Sequence, residues 1–202
     1  WNLYVCTHCR FIFSNPTLNE EHINHFYSLL EDKEYHTESE GRAKNFRIIL
    51  KRLKKIKKKN GIPGKSLMDI GAASGIFLNL AKQEGYEIAG IEPSEFLVKE
   101  AKDRYGLNLF KGTIDLYKTK EKFSIITLLD IIEHLVEPDS FLTQVDSFIK
   151  ENGILVIVTP DIHSFFSKFL GKRWWHYRIA HVNFFSLKSL NYLLKKHQFR
   201  MI

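Results

Sequence analysis

The spacing of apolar residues changes near residue 64. Before that point Phe46, Leu50 and Leu53 recur at helical intervals and predict an amphipathic helix over 42–59. Beyond it, apolar runs typical of buried strands alternate with segments of helical length, which predicts a doubly wound α/β fold, a mostly parallel sheet with helices on both faces. The predicted strands are 66–70, 87–91, 108–110, 123–129 and 154–158, and the helices between them are 76–84, 94–105 and 140–150.

The organisation follows from this change. A chain of 202 residues is long enough for one α/β domain with a short appendage. We therefore expect an irregular appendage over 1–41 and a ligand-binding domain over 42–202. Because the chain begins with Trp1 and stops just after a helix-like segment, we also expect it to be a piece of a longer protein.

Composition narrows the setting. No apolar run approaches the roughly 20 residues needed to span a bilayer, and no secretory leader opens the chain. Two cysteines do not suggest a disulfide framework, so we expect a cytoplasmic protein. Much of the basic excess behind the net charge of +7 lies in 51–59, where the lysines fall on the solvent side of the amphipathic helix. A solvated helix face is therefore favoured over a nucleic-acid site.

A loop of small residues follows the first strand of the sheet. Gly71 and Gly75 allow close backbone approach to a ligand, and the helix that begins there offers unpaired N–H groups. Glu92 ends the next strand about 20 residues later, where a carboxylate can accept both ribose hydroxyls. Together these features predict a nucleotide-like ligand at the carboxyl ends of the strands.

The order of several segments is similar to a known family. The segments 69–75, 90–94, 129–138, 152–161 and 181–186 resemble the signatures of class I S-adenosylmethionine (SAM)-dependent methyltransferases, in the broad subgroup that contains ubiquinone-type O-methyltransferases. The resemblance covers about 64–202. Because family members normally finish the sheet with a strand hairpin after the last helix, it also implies that this hairpin is cut off at 199–202, where its first strand would begin. NAD enzymes fit less well, because the loop lacks the G-x-G-x-x-G spacing.

The resemblance implies a cofactor site and an acceptor. SAM would bind and leave as S-adenosylhomocysteine (SAH), and a small-molecule or carrier-linked acceptor would receive the methyl group, with oxygen favoured as the target atom. Two positions depart from the family pattern: Ala73, where many relatives have glycine, and Thr113, where relatives often have an acid. The implied cofactor-binding residues are Asp69, Gly71, Ala72, Ala73, Gly75, Phe77, Glu92, Pro93, Gly112, Thr113, Ile114, Leu129 and Asp130.

Two histidines are candidate bases near the methyl group. Both are candidates because imidazole titrates near neutral pH. His181 is the better candidate for contacting the acceptor, whereas His134 is equally well explained by a structural role at a helix end. Asp130, Glu133 and His134 also form a D-x-x-E-H arrangement that suits a divalent cation, but packing and capping are the favoured explanation. The aromatic residues of 165–177 lie where relatives place a substrate-covering insertion, so exposed rings there would form a lid over a flat or apolar acceptor.

Cys6 and Cys9 have zinc-ligand spacing, but tetrahedral zinc needs four ligands. Methyltransferases with a similar C-x-x-C-x-x-x-F-x-N-P segment imply that the pair is half of a zinc ribbon. His22 and His25 would instead complete a zinc finger, a weaker alternative with one residue too few between the histidines. The rival function is a nucleic-acid-binding or RNA-modifying protein on a methyltransferase-like scaffold. The absence of an N-P-P-Y type motif after the fourth strand argues against base methylation.

Overall fold

The structure is a computed structural model that describes residues 2–15 and 39–202. Two 3-10 turns, Ile132–His134 and Gly171–Arg173, accompany its helices and strands. In chain order the elements are β1 (Asn2–Val5), β2 (Ile12–Asn15), α1 (Ser39–Asn60), β3 (Ser66–Ile70), α2 (Ile76–Gln83), β4 (Glu87–Glu92), α3 (Glu95–Tyr105), β5 (Phe110–Lys111), β6 (Phe123–Leu129), α4 (Pro138–Phe148), β7 (Ile149–Val158), α5 (Phe165–Leu170), β8 (Asn183–Phe184) and α6 (Leu187–Lys196). None of the helices in these ranges is long and apolar enough to cross a membrane.

The described chain divides into two compact units. The first, which we call the sheet unit, comprises 39–128 and 147–156. The second, which we call the hairpin unit, comprises 2–15, 129–146 and 157–202. This division by contacts does not follow the boundary near residue 41 that the sequence suggests, and that domain boundary stays a prediction.

A five-stranded sheet of order β5-β4-β3-β6-β7 forms the centre of the fold. β3 pairs in parallel with β4, from Ser66 opposite Glu87 to Ile70 opposite Ile91, and in parallel with β6. All seven residues of β6 are buried, which is typical of a parallel strand covered on both faces. The predicted α/β class is confirmed, and strand order reverses on the two sides of β3, the place where such sheets bind ligands.

The helices of the sheet unit begin and end where local chemistry favours it. At the start of α3 the hydroxyl of Ser94 accepts a hydrogen bond from the N–H of Leu97, and at its end Gly106 takes a left-handed conformation with φ 64°. In α1 the buried side chains of Leu50 and Leu53 form the apolar face. The lysines of 51–59 lie mostly toward solvent, as predicted, and Lys54 pairs with Glu84.

The hairpin unit contains a second, three-stranded sheet. β1 and β2 form an antiparallel hairpin, and β2 pairs antiparallel with the two-residue strand β8. The expectation of irregular structure was therefore wrong for 2–15, because strands of four residues give too short a pattern to recognise. Ile162, Trp174 and Phe184 form the buried core that this sheet covers.

The last helix of the hairpin unit follows the 181–186 segment directly. Ser186 and Ser189 form a capping box, each accepting a hydrogen bond from the backbone N–H of the other, so the serine of that segment starts α6. Farther along, Asp139 of α4 accepts hydrogen bonds from Lys196 and His197 at 2.9 and 3.0 Å. These contacts connect α4 to the end of α6.

Candidate active site

The loop after β3 is held close to the end of β4. The N–H groups of Gly71 and Ala72 both donate to the carbonyl of Ile91, at 2.9 and 3.0 Å. Gly75 has φ 77°, and a Cβ there would lie 2.8 Å from the Leu107 side chain, so only glycine fits. The loop therefore enters α2 through a turn whose shape is fixed by packing.

Glu92 and the loop are joined directly. One carboxylate oxygen of buried Glu92 accepts the N–H of Ala73 at 2.8 Å, and the other accepts the N–H of Ser94 at 2.8 Å. Ala73 has φ 48°, a left-handed conformation that costs a residue with a side chain roughly 1 kcal/mol or more. Alanine thus occupies the glycine-like conformation that the family pattern implies at this position.

Asp69 belongs to β3 rather than to the loop, and its side chain contacts the neighbouring strand β6. Its Oδ1 accepts a hydrogen bond from the hydroxyl of Thr127 on β6, at 2.5 Å. Burial raises the pKa of Asp69 to about 8, and the nearby charge of Glu92 acts in the same direction. Thr127 was not foreseen as part of the site, although a polar residue within an otherwise apolar strand is a usable signal.

The other candidate cofactor residues of the sheet unit fall into two groups. Gly112, after β5, donates its N–H to the carbonyl of Glu92 at 3.1 Å, and partly buried Thr113 and buried Ile114 follow it. Phe77 is instead a core residue in edge contact with Phe46, and Pro93 is exposed beside Glu92. The structure thus brings Gly112 and the 71–75 loop to Glu92, and it assigns the ring of Phe77 to packing.

Leu129 and Asp130 lie in the hairpin unit at the end of β6. Asp130 is exposed and has φ 57°, a conformation that aspartate tolerates better than most residues. Its N–H donates to the carbonyl of Val158 at 2.9 Å. Leu129 is buried.

The two candidate bases are close together. The rings of His134 and His181 meet edge to face, with centroids 4.6 Å apart. Nδ1 of His134 lies 2.9 Å from the carbonyl oxygen of Ala180. Because a carbonyl can only accept, this nitrogen carries the hydrogen in the neutral ring, and Nε2 carries the lone pair. His134 therefore has the tautomer of a base that acts through Nε2.

Both histidines are held in their neutral form. Burial lowers the pKa of His134 to about 4, and the positive charge of Arg178 adds to the effect. Burial likewise lowers the pKa of His181 to about 3, with further contributions from His134, His176 and Arg178. At neutral pH the pair can take up a proton from a bound group without first losing one.

Glu133 lies beside these histidines. The hydroxyl of Thr159 donates to its Oε2 at 2.9 Å, and burial raises the pKa of Glu133 to about 8, with a smaller effect from the charge of Asp130. Its Oε1 is 4.0 Å from Nε2 of His134. The two residues belong to the 3-10 turn Ile132–His134, where their side-chain ligand atoms lie close together although the residues are neighbours in sequence.

The cluster of Glu133, His134 and His181 also has the composition of a metal site. Among the residues that the structure describes, one group of three or more His, Cys, Asp or Glu side chains has potential ligand atoms within 4.8 Å of one another: Glu133, His134 and His181. Two imidazoles and a carboxylate suit a divalent transition metal. Asp130, which the D-x-x-E-H pattern includes, is not a member, and His181 takes its place.

Asn183 supports the same turn and was not foreseen from the sequence. Its buried side-chain amide donates to the carbonyl of Leu135 at 2.5 Å and approaches that of Ile132 at 3.4 Å. Asn183 also forms part of β8, so its position depends on the second sheet. This side chain therefore fixes the turn that carries Glu133 and His134.

The aromatic stretch of 165–177 divides into buried and exposed rings. Trp174 is buried in the core of the hairpin unit, whereas Phe165, Phe169 and Trp175 are at least half exposed. A series of ring contacts connects the exposed group to the histidines: Trp175 to His176 at 5.6 Å between centroids, and His176 to His181 at 5.8 Å. Part of the stretch is thus core and part is surface.

Cys6 and Cys9 lie in the turn between β1 and β2. The N–H of Cys6 donates to the carbonyl of Phe11, and the N–H of Arg10 donates to the carbonyl of Cys6. The pKa of the Cys6 thiol is lowered by hydrogen bonds from the backbone of Cys9 and His8. This geometry stabilises a thiolate. The histidines of the finger alternative, His22 and His25, lie outside the described residues.

The structure places the glycine loop and Glu92 side by side at the carboxyl ends of β3 and β4 in a doubly wound sheet. The sequence profile of a family described as a methyltransferase domain matches residues 39–202, and the chain belongs to that family. The resemblance inferred from the sequence motifs is confirmed.

Curated relatives include ubiquinone biosynthesis O-methyltransferases. That of Bradyrhizobium diazoefficiens is 25% identical over 105 residues, which are 50% of this chain and 42% of the relative. That of Coxiella burnetii strain Dugway 5J108-111 is 27% identical over 153 residues, which are 72% of this chain and 64% of the relative. The chain therefore matches less than two thirds of the length of either protein.

Solved structures show the same fold. A SAM-dependent methyltransferase from Thermotoga maritima, described as a possible histamine N-methyltransferase, superposes with a TM-score of 0.69 at 22% identity, covering 89% of this chain and 82% of that one. The plantazolicin methyltransferase BpumL, in complex with a monoazolic desmethylPZN analog and SAH, gives a TM-score of 0.70 at 16% identity over 87% of this chain and 73% of that one.

Proposed function

We propose that the protein is a SAM-dependent methyltransferase that transfers a methyl group to an oxygen atom of a small-molecule or carrier-linked acceptor. The observation that carries the proposal is the carboxylate of Glu92, buried at the end of β4 and bonded to the loop through Ala73. Family membership supports the reaction, and the names of the ubiquinone biosynthesis relatives support oxygen as the target.

Residues of the sheet unit would bind the cofactor. The backbone of 71–75 would contact the methionine part of SAM, and Glu92 would accept the ribose hydroxyls, since a carboxylate can accept about four hydrogen bonds. Gly112, Thr113 and Ile114 would flank the adenine. Leu129 and Asp130 would border the methyl group, as the resemblance implies.

His181 and His134 would serve the acceptor. SAM supplies an electrophilic methyl group on a positively charged sulfur. Transfer of that methyl group would leave the bonding electron pair on sulfur, and an imidazole nitrogen of His181 or His134 would take up the hydroxyl proton that the acceptor oxygen loses. The low pKa values keep both rings neutral at pH 7, so neither has to lose a proton first, but they also make each imidazole a weaker base than a free histidine.

Titration calorimetry with SAH tests the cofactor site. Glu92→Gln keeps the size of the side chain but removes the negative charge, so we expect SAH affinity to fall by about tenfold or more. Glu95→Gln is the matched control, because Glu95 is an exposed neighbour that pairs with Lys111. Thermal melting of both variants separates a lost contact from a loosened loop. Unchanged affinity for the folded Glu92→Gln variant contradicts the site.

Methyl transfer from radiolabelled SAM to a panel of phenols and catechols tests the histidines. His181→Gln should lower kcat at least tenfold while leaving SAH affinity unchanged. Removal of metal by a chelator distinguishes the two possible roles of the cluster. Turnover that survives chelation supports a proton acceptor, whereas turnover lost and then restored by a divalent cation assigns Glu133, His134 and His181 to a metal.

We also propose that Cys6 and Cys9 contribute two thiolates to a zinc site completed by ligands outside the described residues. The low pKa of Cys6 and the tight turn support it. Added cobalt(II) should give thiolate charge-transfer absorption that Cys6→Ser removes and Thr7→Ser leaves unchanged. Absence of that absorption from the reduced chain contradicts the proposal.

A further inference from the structure

An exposed group of apolar side chains lies around α5 and the turn after it. The group, which we call the aromatic patch, comprises Phe165, Phe166, Phe169, Trp175 and Ile179, with 74%, 56%, 75%, 50% and 62% of each residue exposed. All five belong to the hairpin unit. A contiguous group of exposed apolar side chains marks an interaction site more often than apolar residues that are scattered singly over a surface.

The rings of the patch are assembled against one another. Phe165 and Phe169 stack with centroids 5.9 Å apart and planes 9° apart. Phe166 contacts Phe165 at 5.7 Å and Trp175 at 5.8 Å. The four rings of the patch are therefore in continuous contact rather than separate side chains.

The segment that carries the patch is firmly anchored from beneath. Ser167 is buried, and its hydroxyl donates to the carbonyl of Ile162 at 2.6 Å. Trp174 is buried in the core, so adjacent tryptophans point to opposite environments. The exposure of the rings is thus a fixed property of this part of the fold and does not result from loose packing.

The charge around the patch has a single sign. Residues 162–202 contain eight Lys and Arg and no Asp or Glu, whereas the first 161 residues have 22 basic and 23 acidic residues. The last 41 residues therefore have a net charge of +8, whereas the first 161 residues, which include the basic stretch 51–59, have a net charge of −1. Four of the eight lie within or beside the patch and are exposed: Lys168, Lys172, Arg173 and Arg178.

We propose that the aromatic patch docks the protein on an anionic phospholipid bilayer. Exposed phenylalanine and tryptophan side chains partition into the boundary between headgroups and acyl chains, and lysine and arginine beside them pair with anionic headgroups. Phe165 and Phe169 stack on each other, which occupies one face of each ring that a nucleic-acid base would otherwise use. Ile179 offers no hydrogen bond to a polar partner, so hydrocarbon suits this surface best.

Docking would bring an apolar acceptor to the candidate bases. The ring contacts described above run from Trp175 through His176 to His181, so a molecule dissolved in the bilayer would meet the patch beside the histidine pair. Bilayer binding itself does not depend on methyl transfer. The two proposals can therefore fail separately.

Flotation with lipid vesicles tests the proposal. The chain should float with vesicles of equal parts phosphatidylglycerol and phosphatidylcholine, and bind pure phosphatidylcholine at least tenfold less. Phe165→Ser with Phe169→Ser should reduce binding at least tenfold. Ile48→Ser with Leu116→Ser is the matched control, because these exposed apolar residues lie in the sheet unit. Equal loss in both double variants, or no flotation of the unaltered chain, overturns the proposal.

The charge requirement has its own variants. Lys168→Gln, Lys172→Gln and Arg173→Gln together should weaken binding at least tenfold, whereas Lys55→Gln, Lys58→Gln and Lys59→Gln on α1 should not. A blue shift of tryptophan emission on vesicle addition, lost in Trp175→Phe, would place the patch at the bilayer. If vesicles bind without that shift, and a single-stranded RNA of the same charge binds with equal affinity, the lipid assignment is overturned in favour of a general polyanion surface. Thermal melting confirms that each variant is folded.

Discussion

Glu92 accepts a hydrogen bond from the backbone N–H of Ala73, which stands 19 residues earlier in the chain. The bond forms because β3 and β4 are parallel neighbours, so the loop after one strand meets the last residue of the other. Ala73 presents its N–H from a left-handed conformation with φ 48°. The geometry of the proposed ribose site therefore includes a strained residue.

Replacement of Ala73 by glycine should relieve this strain. We expect Ala73→Gly to raise the free energy of unfolding by about 0.5–1 kcal/mol. Glycine adopts positive φ without a steric penalty, and the relief of that penalty outweighs the greater conformational entropy of glycine in the unfolded chain. SAH affinity should stay within about twofold, since the N–H is retained. Urea denaturation and calorimetry measure the two quantities.

Ala72→Gly is the control for that substitution. Ala72 is buried and is not among the residues with positive φ, so glycine there should lower stability by about 1 kcal/mol. Two neighbouring alanines should thus respond with opposite signs. A loss of stability at both positions would show that Ala73 is not strained.

The burial of Asp69 should affect how stability depends on pH. The pKa of folded Asp69 is about 8, above its unfolded value, so this group is protonated in the fold while the unfolded chain ionises. Its contribution is absent in acid and becomes increasingly unfavourable as pH rises from about 4 to 8. Asp69→Asn keeps an oxygen for the Thr127 hydroxyl and cannot ionise.

The expected result is a gain in stability that grows with pH. Relative to the unaltered chain, Asp69→Asn should gain roughly 3 kcal/mol more at pH 8 than at pH 5. Asp139→Asn is the opposite control, because pairing with Lys196 and His197 lowers the pKa of Asp139. That variant should lose stability as pH rises from acid. A pH-independent effect of Asp69→Asn would show that Asp69 is ionised in the fold.

The sequence predicted the strands that position this site, because buried strands have a recognisable apolar pattern. The strands Ser66–Ile70 and Phe123–Leu129 have the predicted bounds, because long apolar runs identify buried strands. From those bounds follow the loop and the place of Glu92. The contact of Asp69 with Thr127 did not follow, since it depends on which strands pair across 58 residues.

The histidine cluster shows where sequence reasoning stops. His134 and His181 were each selected as candidates, but nothing in their separation of 47 positions indicated that their rings touch. The contact depends on the 3-10 turn and on β8, a strand of two residues with no periodic pattern of its own. The hairpin of 2–15 was missed for the same reason.

Acid should destabilise the fold through His134 and His181. Their folded pKa values, about 4 and about 3, lie below the ordinary value near 6.5, so the stabilising contribution is complete above 6.5 and is lost as pH falls. At pH 5 each histidine should cost roughly 2 kcal/mol relative to pH 7. His134→Gln with His181→Gln should therefore flatten stability between pH 7 and pH 5, measured by urea denaturation. His163→Gln, an exposed histidine of the same unit, is the control, and an equal flattening there contradicts the prediction.

Asn183 should affect turnover without affecting cofactor binding. Asn183→Ala removes the amide that donates to the carbonyls of Leu135 and Ile132, and a buried carbonyl left without its donor costs about 1–3 kcal/mol. The 3-10 turn would then hold His134 less firmly. We expect the free energy of unfolding to fall by that amount, kcat to fall at least fivefold, and SAH affinity to stay within about twofold.

The control for Asn183 is Asn60→Ala. Asn60 also donates its side-chain amide to a backbone carbonyl, that of Ile56, but on the exposed end of α1. Water can replace the lost donor there, so stability should change by less than about 0.5 kcal/mol and turnover should not change. If Asn183→Ala lowered stability but left kcat at its original value under conditions where the variant is fully folded, the amide would be structural only. A fall in kcat with constant SAH affinity shows instead that the turn positions a residue that acts on the acceptor. A protein that is merely less stable would lose turnover and SAH binding together.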